Sequence, residues 1–143
     1  DIVIPYKPRV IVVYEGDNDL LLGVRPAEFV AHCDTFISIV HKQLPKTIIY
    51  FISVKPSFAR MQHLSVQQET NRQLKQLAKR RTNTKFIDLA RVMYDHDGRL
   101  RKDYFISDSL HLSRACYKAW AAQMKSKTSI IKLVNRDKTG ARK

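Results

Sequence analysis

Arg9-Val10-Ile11-Val12-Val13-Tyr14 is the stretch that decides the fold, because it is a nearly continuous run of mostly β-branched apolar residues. Such a run is typical of a strand covered on both faces, as strands in parallel sheets are. Residues 47–54 and 85–89 have the same character. We therefore expect three buried strands, the last of them shorter than the others.

Helical periodicity fills the intervals between these strands. Apolar residues recur at steps of three and four over residues 26–44, which predicts an amphipathic helix. Ser65 with Gln68 three residues later is a capping-box pattern, and it predicts a second helix that ends near Arg81. A third helix is expected after Ser113. The order strand, helix, strand, helix, strand, loop, helix indicates an α/β domain with a parallel sheet.

Length and composition limit the number of domains and the classes of protein that this chain can belong to. The chain has 143 residues, of which 44% are hydrophobic, and this suits one globular domain. No stretch approaches the roughly 18 apolar residues of a membrane span. Cys33 and Cys116 lie outside any Cys-x-x-Cys spacing, so we expect free thiols. The first residue is Asp1 rather than methionine, which suggests a chain cut from a longer one.

The formal net charge is +13, and the cations are clustered. One cluster closes the second predicted helix at residues 75–81, another follows at residues 99–102, and residues 128–143 form a basic C-terminal tail. Such clustering raises the hypothesis of nucleic-acid binding. However, the clusters lack interleaved aromatic residues for base stacking, and cations at a helix C-terminus are expected from the helix dipole. A solvated surface is the favoured interpretation, and nucleic acid is not an expected partner.

Polar residues follow the predicted strands, where ligands bind in open parallel sheets. Asp108 and His111 lie beyond the third strand, and a carboxylate at this spacing can fix the tautomer of a general base. The spacing alone is weak, because Asp108 can equally cap a loop while His111 packs as a hydrogen-bonded ring. Asn18 follows the first strand and offers an uncharged donor for an oxyanion. Residues 16–19 also have good turn chemistry, so a simple chain reversal is the alternative.

Taken together, these two segments resemble the SGNH/GDSL hydrolases. Residues 14–20, Tyr-Glu-Gly-Asp-Asn-Asp-Leu, are similar to that family's Gly-x-Asn-Asp block. Residues 108–113, Asp-Ser-Leu-His-Leu-Ser, are similar to its Asp-x-x-His block. The likeness runs from about Val3 to about Lys127 with matching spacing, and several positions between the blocks resemble bacterial acylhydrolases of this type.

The resemblance implies a role for each residue of these blocks. His111 would be the general base, Asp108 its orienting partner, and Asn18 a donor in the oxyanion hole. Tyr117 and Trp120 would be core anchors behind the histidine loop. Neither a metal nor an organic cofactor is implied.

Four further positions carry expectations from the same resemblance. Gly16 would allow a close turn and, with Lys55 and Pro56, is expected to contact the substrate. Asp17 occupies the variable position of its block and should face solvent.

The resemblance is partial, because two blocks of the family are absent from these 143 residues. One carries the nucleophilic serine in a Gly-Asp-Ser setting, and the other carries a glycine whose amide completes the oxyanion hole. The family fold is a flavodoxin-like, three-layer α/β/α sandwich around a five-stranded parallel sheet, and this chain would supply its last three strands. We therefore expect residues 1–127 to be a partial SGNH hydrolase domain that needs its missing N-terminal segment, followed by the basic tail.

The expected function is that of the C-terminal part of a serine esterase or acyl hydrolase, which cleaves a carboxylic ester in a small molecule. The alternative is a catalytically inactive fragment or a non-catalytic binding module with a basic surface. The identity of the ester, the compartment and the oligomeric state are left open by the sequence.

Overall fold

Three parallel strands form one sheet in the computed structural model, which describes residues 2–127. The strands lie in the order β1 (Val10–Val13), β2 (Ile48–Ile52), β3 (Thr84–Ile87). Both pairings are parallel, as predicted from the sequence. The predicted basic tail at residues 128–143 lies outside the described residues.

Four α-helices accompany this sheet within residues 2–127: α1 (Asp17–Leu21), α2 (Pro26–Gln43), α3 (Leu64–Arg80) and α4 (Arg114–Lys127). The last three correspond to the helices predicted from periodicity. In this part of the chain, none of the helices has the length and apolar character that crossing a bilayer would require.

The side chains of β2 alternate between the two faces of the sheet, and each face is covered. Ile49 and Phe51 pack in one apolar cluster with α2 and α3, in which Ile37 and Leu74 are fully buried. Burying side chains of this size stabilises a fold by about 1.5–3 kcal/mol each. The continuous apolar run of β2 is therefore explained by helices on both sides.

The opposite face of β2 packs against α4. Tyr50 and Ile52 belong to a second cluster with Cys116 and Trp120, which are four residues apart and so share one face of α4. Tyr117 is 57% exposed, because it lies on a different side of the helix. The prediction that Trp120 is a core anchor is correct, and the same prediction for Tyr117 is wrong.

The start of α3 differs from the sequence prediction. The helix begins at Leu64, and the preceding His63 makes no side-chain capping hydrogen bond, so the capping box predicted at Ser65 is wrong. The cause is the 3-10 turn Phe58–His63, which leads directly into α3. The backbone is already helical when it reaches Ser65, whose side chain is exposed.

Candidate active site

The histidine loop connects the 3-10 turn Lys102–Tyr104 to α4 and is held by its own backbone. Phe105 and Leu112 form an antiparallel bridge, and the N–H of Ile106 donates to the carbonyl of His111 at 3.0 Å. Ser109 takes a left-handed conformation, with φ at 58°, which closes the tight loop. This loop therefore presents residues 108–111 in one defined geometry.

Asp108 contacts His111 through its side chain and through the backbone. Its Oδ2 lies 2.5 Å from the His111 Nδ1, and its Oδ1 accepts the backbone N–H groups of Leu110 and His111, each at 2.9 Å. The bond to His111, followed by these two backbone bonds, lowers the pKa of Asp108 to about 2. An ionised carboxylate can only accept, so Nδ1 carries the proton, and Nε2 of a neutral His111 ring is left as an acceptor.

Gly16 sets the turn from β1 into α1. Its φ of 108° is a conformation that side chains rarely adopt, and a Cβ placed there would lie 2.9 Å from the Cζ of Phe29 and 3.0 Å from a methyl of Val54. Only glycine fits this position. The helix α1 starts at the next residue, where the sequence had indicated turn chemistry, so Asn18 lies in its first turn.

A buried charge network lies beneath Asn18. The Lys55 Nζ is 2.8 Å from Asp17 Oδ2, and the Arg60 Nη1 is 2.7 Å from Asp17 Oδ1. The side chains of Lys55, Asp17 and Arg60 are 7%, 16% and 10% exposed. The prediction that Asp17 faces solvent is therefore wrong: its carboxylate turns inward, because two cations from the segment after β2 neutralise it there.

Asn18 and His111 line one cavity of about 260 Å³ at the carboxyl edge of the sheet. Its polar wall comes from the segment after β1, from Lys55 and Arg60, and from the histidine loop. Its other lining residues are largely apolar. The residues that line the cavity are Tyr14, Glu15, Asp17, Asn18, Lys55, Arg60, Leu110, His111, Leu112, Tyr117 and Trp120.

The other residues singled out from the sequence lie around this cavity rather than in its wall. Asp108 stands behind the His111 ring, to which it is hydrogen-bonded. Gly16 is buried against Phe29 and Val54. Pro56 lines a neighbouring cavity, between α3 and the segment after β3.

Two aromatic rings form the floor of the cavity. Tyr14 and Trp120 meet edge to face, with 5.5 Å between ring centroids. Burial, and then the nearby Asp17 carboxylate, raise the pKa of Tyr14 far above its ordinary value. The phenol therefore stays neutral, and its ring contributes apolar surface beside the polar wall.

Both thiols are free, as expected, and both are buried. Burial raises the pKa of Cys33 to about 12 and that of Cys116 to about 11. A nucleophilic cysteine needs a lowered pKa, so neither thiol has the character of a nucleophile.

Arg60 is the member of this site to which no role could be given from the sequence. It lies in the 3-10 turn Phe58–His63, far along the chain from Asn18, and no spacing rule links the two. An inward-facing Asp17 carboxylate would need a cation as its partner, and this need could have pointed to Arg60. The sequence prediction placed Asp17 in solvent, so the need did not arise.

A parallel, three-layer α/β domain with this cavity at the carboxyl edge of its sheet has the fold of the SGNH hydrolases. The chain belongs to the GDSL-like lipase/acylhydrolase family, because the model of that family matches residues 1–119. No curated protein sequence matches the chain significantly.

Solved structures agree with this assignment. A protein from Streptococcus pneumonia, assigned as a platelet activating factor, is 26% identical with a TM-score of 0.72, over 82% of this chain and 58% of that one. A family 3 carbohydrate esterase from Clostridium thermocellum is 20% identical with a TM-score of 0.69, over 92% of this chain and 60% of that one. The second likeness is one of fold, and the chain spans less than two thirds of either protein.

Proposed function

We propose that the protein to which this chain belongs hydrolyses carboxylic esters with a serine nucleophile, His111 as general base and Asn18 as oxyanion donor. The observation that carries this proposal is the shared cavity: two side chains distant in sequence line the same space of about 260 Å³. Membership of the acylhydrolase family supports ester hydrolysis as the reaction.

The hydrogen bond between His111 and Asp108 supports a role for His111 in proton transfer. The His111 Nδ1 is bonded to Asp108, which leaves Nε2 to take the proton of the serine hydroxyl as the oxygen attacks the ester carbon. The same nitrogen then returns the proton to the departing alcohol. Water repeats the sequence and releases the acyl group, so the base ends each turnover in its starting state.

Asn18 supplies a donor for the charge that develops on the carbonyl oxygen. Its amide lies in the first turn of α1, directly after β1, and lines the cavity that His111 also lines. In known sites, loss of one such donor costs about 2.7–4 kcal/mol of barrier.

The nucleophile is proposed to come from a segment of the same domain outside these 143 residues. The chain covers 58% and 60% of the two solved structures, which leaves room for further strands. In the described part of the chain β1 is an edge strand, with Val12 42% exposed and a groove of about 690 Å³ alongside. A parallel strand added there would end beside Asn18, where a serine is needed.

The rings of Tyr14 and Trp120 give the described side of the cavity an apolar surface, which suits the acyl group of an ester. Of the three residues proposed to contact substrate, Lys55 lines the cavity, and we place the ester near it. Gly16 and Pro56 would act through the backbone shape around the site.

Hydrolysis of p-nitrophenyl acetate by the complete natural protein tests this function. We expect His111→Ala to lower kcat by about 10⁴- to 10⁶-fold, since loss of the base removes proton transfer in both half-reactions. His96→Ala is the matched control, because this histidine is 90% exposed in the turn at residues 95–98, and it should leave kcat unchanged. Full activity in His111→Ala would refute the assignment.

An inactive wild-type protein would instead favour the alternative of a non-catalytic module. The intact mass of the natural protein then distinguishes an inactive fragment from a non-catalytic binding protein. A mass near 16.6 kDa would indicate this chain without a nucleophile block. A mass larger by several kilodaltons, still without hydrolysis, would indicate a binding protein with a hydrolase fold.

A further inference from the structure

A buried guanidinium lies directly against the amide of Asn18. The Arg60 Nη2 donates to Asn18 Oδ1 at 2.9 Å, and its Nη1 donates to the backbone carbonyl of Asp17 at 2.7 Å. Arg60 as a whole is 9% exposed. A guanidinium has donors only, so the Asn18 amide must turn its oxygen toward Arg60 and its NH2 group away.

Arg60 is itself held in place by the charge network. Asp17 Oδ1 lies 2.7 Å from the Arg60 Nη1 while Asp17 Oδ2 pairs with Lys55, so the carboxylate neutralises the guanidinium where it is buried. The backbone of Arg60 departs from helical geometry, with φ at −129° and ψ at 30°, inside the 3-10 turn Phe58–His63. This kink and the network aim one long side chain at the first turn of α1.

We propose that Arg60 is a positioning residue of the oxyanion hole, which holds the Asn18 amide with its NH2 group toward the cavity. The inference rests on the proposed hydrolase function and adds to it a residue that acts through another. An amide can turn by half a rotation at little steric cost, and the turned amide would present an acceptor to the oxyanion. The Nη2 donor of Arg60 opposes that rotation, because a turned NH2 group would face a cation.

A double-mutant cycle in the complete natural protein separates this role from a general structural one. We expect Arg60→Met to lower kcat about tenfold or more, with KM within about twofold, since the lost interaction matters only in the transition state. Asn18→Ala should lower kcat by about 10²- to 10³-fold. In the Asn18→Ala background, Arg60→Met should then change kcat by less than about twofold, because the group that it positions is gone.

Arg60→Lys covers the case in which the methionine variant does not fold. Lysine keeps a cation for Asp17, yet a single ammonium cannot reproduce the planar fork that serves two acceptors. We expect a native unfolding transition with kcat lowered about tenfold. Arg72→Met is the matched control, because its guanidinium pairs with Glu69 on the exposed surface of α3, and its kcat should equal that of the wild type.

The outcomes separate the positioning role of Arg60 from the proposed hydrolase function. If Arg60→Met lowers kcat equally with and without the Asn18 side chain, the positioning role is overturned. Full kcat in Arg60→Lys would overturn it too. In both cases an inactive His111→Ala variant would leave the proposed hydrolase function standing. If the wild-type protein hydrolyses no ester, the proposed function itself is refuted. A side-chain amide NMR signal of Asn18 that is unchanged in Arg60→Lys would also contradict the inference.

Discussion

Asp108 shows at the scale of one residue how a loop orients the His111 ring. One carboxylate oxygen contacts the His111 ring and the other accepts two backbone N–H groups, so the same side chain shapes the loop and selects the tautomer. The two alternatives raised by the sequence, a loop cap and a partner for histidine, are thus both present in one residue.

The protonation of Asp108 gives a prediction at this scale. Its folded pKa of about 2 lies below the ordinary value of 3.8, so its contribution to loop stability is present above pH 3.8 and is lost as the pH falls through about 2. We expect a carboxyl ¹³C titration of Asp108 with a midpoint near pH 2. In His111→Ala the midpoint should rise but stay below 3.8, because the two backbone donors remain. An unchanged midpoint in that variant would show that His111 is not the main cause.

The pairing of Asp108 with His111 could be predicted before the structure was known. Their short spacing is a weak signal alone, and the resemblance of residues 108–113 to the Asp-x-x-His block made the prediction specific. The inward turn of Asp17 depends on Lys55 and Arg60, which reach it from the segment after β2. Contacts between separate segments leave no periodic trace in a sequence, and the solvent-facing prediction failed for that reason.

At the scale of elements, α3 is fastened to the end of β2 by one amide. The Asn71 side chain accepts the N–H of Val54 at 2.7 Å and donates to its carbonyl at 2.8 Å. Val54 is fully buried, and the next residue is Lys55 of the charge network. The position of this lysine beneath the cavity therefore depends on a helix that does not line the cavity with any residue of its own.

Removal of this link should destabilise the fold. Asn71→Ala leaves a buried donor and a buried acceptor of Val54 without their partner, and we expect the free energy of unfolding to fall by about 2–4 kcal/mol in urea titrations. Gln73→Ala on the same helix removes an amide that, among residues 2–127, bonds to Glu69 alone, and it should cost less than about 1 kcal/mol. Equal losses in the two variants would show that the Val54 link contributes nothing beyond an ordinary substitution on this helix.

The elements differ in how far the sequence could predict them. Long apolar runs and regular three- and four-residue steps predicted the strands and the longer helices, because burial on a known face imposes those patterns. The five-residue helix α1 was not predicted, since its formation depends on the conformation of Gly16 packed against Phe29 and Val54. The wrong start of α3 has a similar cause, namely a preceding turn that the capping pattern does not encode.

At the scale of the whole molecule, three separate segments meet at the carboxyl edge of the sheet. The end of β1 brings Asn18, the segment after β2 brings Lys55 and Arg60, and the loop before α4 brings His111. Parallel strands end on the same edge, so the topology alone gathers residues that are far apart in the chain. We propose that ester hydrolysis takes place where these segments meet.

The most direct test is a crystal structure of the complete natural protein after reaction with a p-nitrophenyl phosphonate, whose adduct imitates the tetrahedral intermediate. We expect a phosphonylated serine with a phosphoryl oxygen about 2.7–3.1 Å from the Asn18 Nδ2, and with His111 beside the serine oxygen. An adduct formed on another face of the molecule, away from the cavity that Asn18 and His111 share, would contradict this proposal.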